Sequence, residues 1–86
     1  MTQDRQTLLM VEDDPGLQKQ MKWSFERYDV HFASNREEAI AQLRRLEPKV
    51  VTLDLGLPPD QDSTSEGFKT LQEMLALQPA TKVIAV

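Results

Sequence analysis

Four acids set directly after two apolar runs are the side chains here best suited to hold a cation or act as a nucleophile. Glu12-Asp13-Asp14 follows Leu8-Leu9-Met10-Val11, and Asp54 follows Val50-Val51-Thr52-Leu53. If the two runs are neighbouring strands of a parallel sheet, their carboxyl ends lie side by side. Glu12, Asp13 and Asp54 then converge at the edge where such sheets bind ligands. Three carboxylates together raise one another's pKa, and a divalent cation relieves that cost. Oxygen ligands without His or Cys favour Mg2+ or Mn2+ over zinc. An Asp beside such a cation suits phosphoryl transfer, with Asp54 as a nucleophile that forms an aspartyl phosphate. A single acid after a strand is more often a helix cap, and Asp14 reads as one. Two acidic groups at one sheet edge favour a site instead.

The elements that must position these acids follow from the apolar pattern. The two runs above and Val83-Ile84-Ala85-Val86 are short, branched and not alternating, as strands buried on both faces are. Val30-His31-Phe32-Ala33 fits a strand nearer an edge. Between them lie three helical patterns. The first is predicted from Pro15 to about Arg27, capped by Asp14, with Leu17, Met21, Phe25 and Tyr28 as its apolar stripe. The second is predicted from about Arg36 to Leu46, with Ala39, Ile40, Leu43 and Leu46 inward and Pro48 at its end. Ser34–Glu37 and Asn35–Glu38 both have capping-box spacing. The third is predicted from about Glu66 to Leu77, capped by Ser65, with Phe68, Leu71, Met74 and Leu75 inward. Gly56 to Thr64, with two prolines and several polar residues, reads as a loop. The order β-α-β-α-β-α-β implies right-handed crossovers and a parallel α/β sheet in one domain, residues 1–86.

Composition narrows the function. The 86 residues carry a net charge of −4 and no cysteine, which excludes disulfides and thiolate metal sites and disfavours direct nucleic-acid binding by this segment. The apolar runs are far shorter than the ~20 residues of a membrane span, and the polar N-terminus is no signal peptide. A cytoplasmic location is expected. His31 is read as a surface or packing residue, Trp23 as lying off the helical stripe, and Arg44-Arg45 as solvent-facing.

The ordered set of motifs resembles the receiver domain of two-component response regulators across essentially the whole chain. Leu8 to Asp14 resembles the first strand and acidic pocket of that family. Val50 to Pro58 resembles the third strand, the phosphoacceptor Asp and the following Pro, and Thr81 to Val86 resembles the fourth strand. The resemblance implies a flavodoxin-like three-layer fold with strand order 2-1-3-4. It implies that Glu12, Asp13, Asp54 and the Gly56 backbone carbonyl hold Mg2+ (or Mn2+), that Asp54 accepts the phosphoryl group, and that Pro58 shapes the loop. The implied partners are a sensor histidine kinase and an output domain, of a transcription-regulating kind, on a longer parent chain. A signalling module is expected rather than an enzyme. The segment Asp54 to Phe68 looks like that of enhancer-binding regulators linked to PEP-CTERM protein sorting.

The sequence stops at Val86. By the resemblance, the switch Thr or Ser, the partner Lys, the last strand and the last two helices would lie past that point. These residues are therefore expected to lack the usual means of sensing the phosphate. A truncated receiver working by protein contact alone is the alternative. A haloacid-dehalogenase-type phosphohydrolase would need an Asp where Gly56 stands, and a nucleotide-binding flavodoxin-like protein would need a Gly-rich loop where Glu12-Asp13-Asp14 stands. Strand four, Lys82 to Val86, is expected to be an open edge, with Leu9, Val11, Val51, Leu53 and Ile84 partly uncovered. A homodimer or an exchange of elements through that strand is the expected result.

Overall fold

Short branched segments that end at an acid or a turn form strands here, and the amphipathic segments between them form helices. The computed structural model describes residues 5–56 and 65–85. The elements are β1 (Thr7–Val11), α1 (Pro15–Ser24), β2 (Asp29–Ala33), α2 (Arg36–Leu46), β3 (Val50–Leu53), α3 (Ser65–Leu77) and β4 (Lys82–Ala85). The four strands form one sheet in the order β2-β1-β3-β4, every pair parallel. This is the expected α/β, flavodoxin-like arrangement with strand order 2-1-3-4. Pro58, Asp60, Asp62 and Val86 lie outside the described residues, and so does most of the segment on which the PEP-CTERM likeness rests.

Crossover handedness sets the layers. The step from β1 to β2 runs one way along the sheet, whereas β2 to β3 and β3 to β4 run the other. Right-handed crossovers therefore place α1 on one face and α2 with α3 on the opposite face. The main core lies on the second face. Leu9, Val11, Ala33, Val51 and Leu53 of the sheet pack there with Ala39, Ile40 and Leu43 of α2 and Met74 of α3. Leu8 and Met10, which alternate to the α1 face, are also buried.

This layering corrects the expectation of uncovered core. Leu9, Val11, Val51 and Leu53 are fully buried, because all four face α2 and α3. Only Ile84, on the α1 face of β4, stands open at 46% exposure. The α1 stripe is corrected as well. The helix stops at Ser24, and Phe25 forms its C-cap. Phe25 and Tyr28 meet edge to face at 6.0 Å beyond the helix instead of extending the stripe. No residue of α1 is fully buried.

In α3 the inward row is Gly67, Thr70 and Met74, three and four residues apart. Phe68 and Leu75 are exposed, contrary to the pattern, and Leu71 packs at the margin of the core. Gly67 takes the first place in that row because the start of the helix comes close to the Leu55 backbone after β3. Ser65 is the first residue of α3 and not its cap. In α2 the choice between two capping boxes falls to Asn35, whose Oδ1 accepts from the Glu38 amide at 2.9 Å. The Glu38 carboxylate in turn accepts from the Ser34 amide at 2.8 Å. Glu47 closes α2 in the left-handed region at φ 46°, just before Pro48.

Candidate metal centre

Two backbone hydrogen bonds carry the parallel ladder one residue past the strands and align the acids. The Asp54 amide donates to the Val11 carbonyl and the Glu12 amide donates to the Ala33 carbonyl, each at 2.9 Å. The ends of β1, β2 and β3 are thus in step, and the residues that leave β1 and β3 side by side are Glu12, Asp13 and Asp54. Each offers one carboxylate oxygen, and these oxygens all lie within 4.8 Å of one another. Glu12 is buried and the two aspartates are partly buried.

The pocket is electrostatically loaded. Burial pushes the Glu12 carboxyl above its ordinary value. The Asp14 amide, which donates to Glu12 Oε2 at 3.1 Å, pulls it down, and the charges of Asp54, Asp13 and Asp14 push it up again. A cluster of this kind is what a divalent cation neutralises. Its donors are carboxylate oxygens, which suit a hard ion such as Mg2+ or Mn2+. The residues present therefore fit the expected ion.

Each sequence-named residue has a definite place. Asp14 caps α1 and accepts at one oxygen from the Gly16 amide at 2.8 Å and from the Leu17 amide at 3.4 Å. Asp54 accepts at Oδ1 from the Gly56 amide at 2.9 Å, which folds residues 54–56 into a tight turn beside the pocket. Gly56 thus stands next to the acids through its N–H, and its carbonyl remains a proposed ligand. His31 sits on edge strand β2 and pairs with Asp29 at 3.1 Å, away from the acids. Trp23 is exposed on α1, and Arg44 and Arg45 face solvent.

Two residues that shape the site escaped the sequence reading. A Cβ on Gly67 would stand 2.3 Å from the Leu55 carbonyl oxygen and 2.4 Å from Leu55 Cα. The first turn of α3 therefore rests directly on the backbone that follows Asp54, and only glycine permits that approach. The signal was a lone glycine near the start of a helical pattern, where it costs helix stability and asks for a reason. The second is Gln18 of α1, whose side-chain amide donates to the Glu12 carbonyl oxygen. Nothing in its type or spacing marked it.

Comparison with known proteins bears on this arrangement. The response regulator receiver domain family matches residues 8–86. No curated protein matches. Among solved structures, the chain resembles the signal receiver domain of a LuxO repressor protein from Vibrio parahaemolyticus. The identity is 29% and the TM-score 0.79, with 94% of this chain and 60% of that chain covered. It also resembles a CheY-like receiver domain protein from Methanospirillum hungatei, at 26% identity and a TM-score of 0.82, covering 95% of this chain and 63% of the other. A third likeness is the non-phosphorylated HemR receiver domain from Leptospira biflexa, at 28% identity and a TM-score of 0.81, with 94% and 63% covered. The chain thus spans about 60% of the length of these relatives.

Proposed function

This chain belongs to the response regulator receiver domain family, and from that premise we propose that Asp54 accepts a phosphoryl group from a sensor histidine kinase. The observation that supports the reading best is the convergence of Glu12, Asp13 and Asp54 beside the Asp54–Gly56 turn. Glu12, Asp13 and Asp54, with the Gly56 carbonyl, would hold Mg2+ or Mn2+. A bound cation would supply neutralising charge to the phosphoryl oxygens.

The chain's own residues do the rest. The Gly56 N–H holds Asp54 Oδ1 and fixes the rotation of the carboxylate, so an Asp54 oxygen meets the incoming phosphorus in a set direction. That oxygen forms a bond to phosphorus as the P–N bond of the phosphohistidine breaks, and the electron pair returns to the imidazole nitrogen. Glu12 and Asp13 take no covalent part. The product is an aspartyl phosphate whose added charge is the signal. Such a module answers to a kinase and acts on an output domain of the parent chain, here proposed to control transcription in the cytoplasm. Among the described residues no helix is long and apolar enough to cross a membrane.

The test is phosphoryl uptake from acetyl phosphate, followed by intact mass. Uptake is expected with Mg2+, absent with chelator, and abolished in Asp54→Asn. Undiminished uptake in Asp54→Asn would refute the assignment.

A further inference from the structure

We infer that Gln18 is a positioning residue for the acidic pocket: its carboxamide holds the peptide between Glu12 and Asp13, and so aims two of the three carboxylates. This rests on the metal reading proposed above.

The Val11 carbonyl is taken by the Asp54 amide, and the Glu12 amide is taken by the Ala33 carbonyl. The next carbonyl, that of Glu12, lies beyond the last ladder bond. Glu12 is 7% exposed, so a carbonyl there without a partner would be costly. Among the described residues its donor is Gln18 Nε2. The same nitrogen lies 3.5 Å from Ser34 Oγ, next to the Asn35–Glu38 cap of α2. Gln18 thus joins the β1–α1 and β2–α2 loops beside Glu12. Its burial fits that role, because Gln18 is half-buried whereas its neighbours Leu17 and Lys19 are exposed.

The bond acts on the ligands through peptide planarity. The Glu12 carbonyl and the Asp13 amide share one rigid plane. Holding that oxygen fixes ψ of Glu12 and φ of Asp13 together. The Asp14 amide holds Glu12 Oε2 from the other side. Without Gln18 the plane can rotate, and both carboxylates shift with it.

The consequence is selectivity between ions of equal charge. Mg2+ demands near-ideal octahedral geometry, whereas Ca2+ accepts looser and longer coordination. Residues that orient metal ligands typically change metal affinity by roughly 10- to 100-fold when removed. In the intact protein, Gln18→Met keeps length and neutrality but removes the donor. It should weaken Mg2+ binding about 10-fold and Ca2+ binding clearly less, as measured by calorimetric titration with each ion. Gln18→Arg, which keeps N–H donors at that reach, should restore the Mg2+/Ca2+ ratio. Its added charge repels both ions alike and cancels in that ratio. In Gln18→Met the metal-free melting midpoint should fall as the buried Glu12 carbonyl loses its donor, a loss common to both titrations that cancels in the Mg2+/Ca2+ ratio. An unchanged ratio in Gln18→Met, or its failure to recover in Gln18→Arg, would overturn the assignment while leaving the metal site intact. A wild-type protein that binds neither ion would overturn the site itself and this role with it.

Discussion

Burial raises the Glu12 carboxyl above its ordinary 4.5, and the neighbouring acids add to the effect. A carboxyl whose pKa is higher folded than unfolded binds its proton more tightly in the fold. Its contribution to stability is therefore full below the unfolded value and is lost as pH rises through the folded one. At neutral pH an ionised Glu12 therefore weakens the fold when no cation is bound. Two outcomes are expected. Glu12→Gln should raise the metal-free melting midpoint at neutral pH while weakening Mg2+ binding. The gain in midpoint on adding Mg2+ should fade as pH drops through the raised Glu12 value, because a protonated carboxyl is a poor ligand. Thermal melts across pH, with and without Mg2+, read both. At Gly67 the expectation is steric. Gly67→Ala sets a methyl against the Leu55 backbone and should cost about 1–3 kcal/mol in urea unfolding.

The elements were read from sequence with uneven success, and the reasons are physical. Strands β1 and β3 stood out because a strand covered on both faces must be continuously apolar. The convergence of Glu12, Asp13 and Asp54 followed from those strands being adjacent, and the structure places them so. Helix α2 was read with the right span and the right stop at Pro48, while its cap stayed open between Ser34 and Asn35 because both have the spacing of a capping box. Helix α1 was read too long because Phe25 and Tyr28 keep helical spacing while pairing with each other in the turn. Phe68 was placed inward on hydrophobicity, whereas the close approach of α3 to Leu55 selects Gly67 for that row. Gln18 was invisible because its role depends on a carbonyl that only the fold puts within reach. Helix α1 offers its own test through Asp14, which caps it with two backbone bonds. Asp14→Ala should cost about 1 kcal/mol, and Asp14→Ser should recover most of that by keeping the acceptor. Chemical denaturation of both variants at one pH decides the matter.

Among the described residues, the two faces of the sheet differ in how well they are covered. The α2–α3 face is closed over Leu9, Val11, Val51 and Leu53, while Ile84 on the other face is open at the edge strand β4. An edge strand with an exposed apolar residue invites pairing with another chain. A polypeptide of these 86 residues alone should associate in light scattering, and Ile84→Lys should shift it toward the monomer. The phosphoacceptor assignment rests on the acids, the strands that carry them and the family to which the chain belongs. Its most direct test is to locate the acyl phosphate chemically. After reaction with acetyl phosphate and Mg2+, borohydride reduces an aspartyl phosphate to homoserine, and peptide mass spectrometry reports the position. Homoserine at position 54 and nowhere else is the expected result. Homoserine at position 13 or 14, or none in protein that has taken up phosphate, would contradict the account.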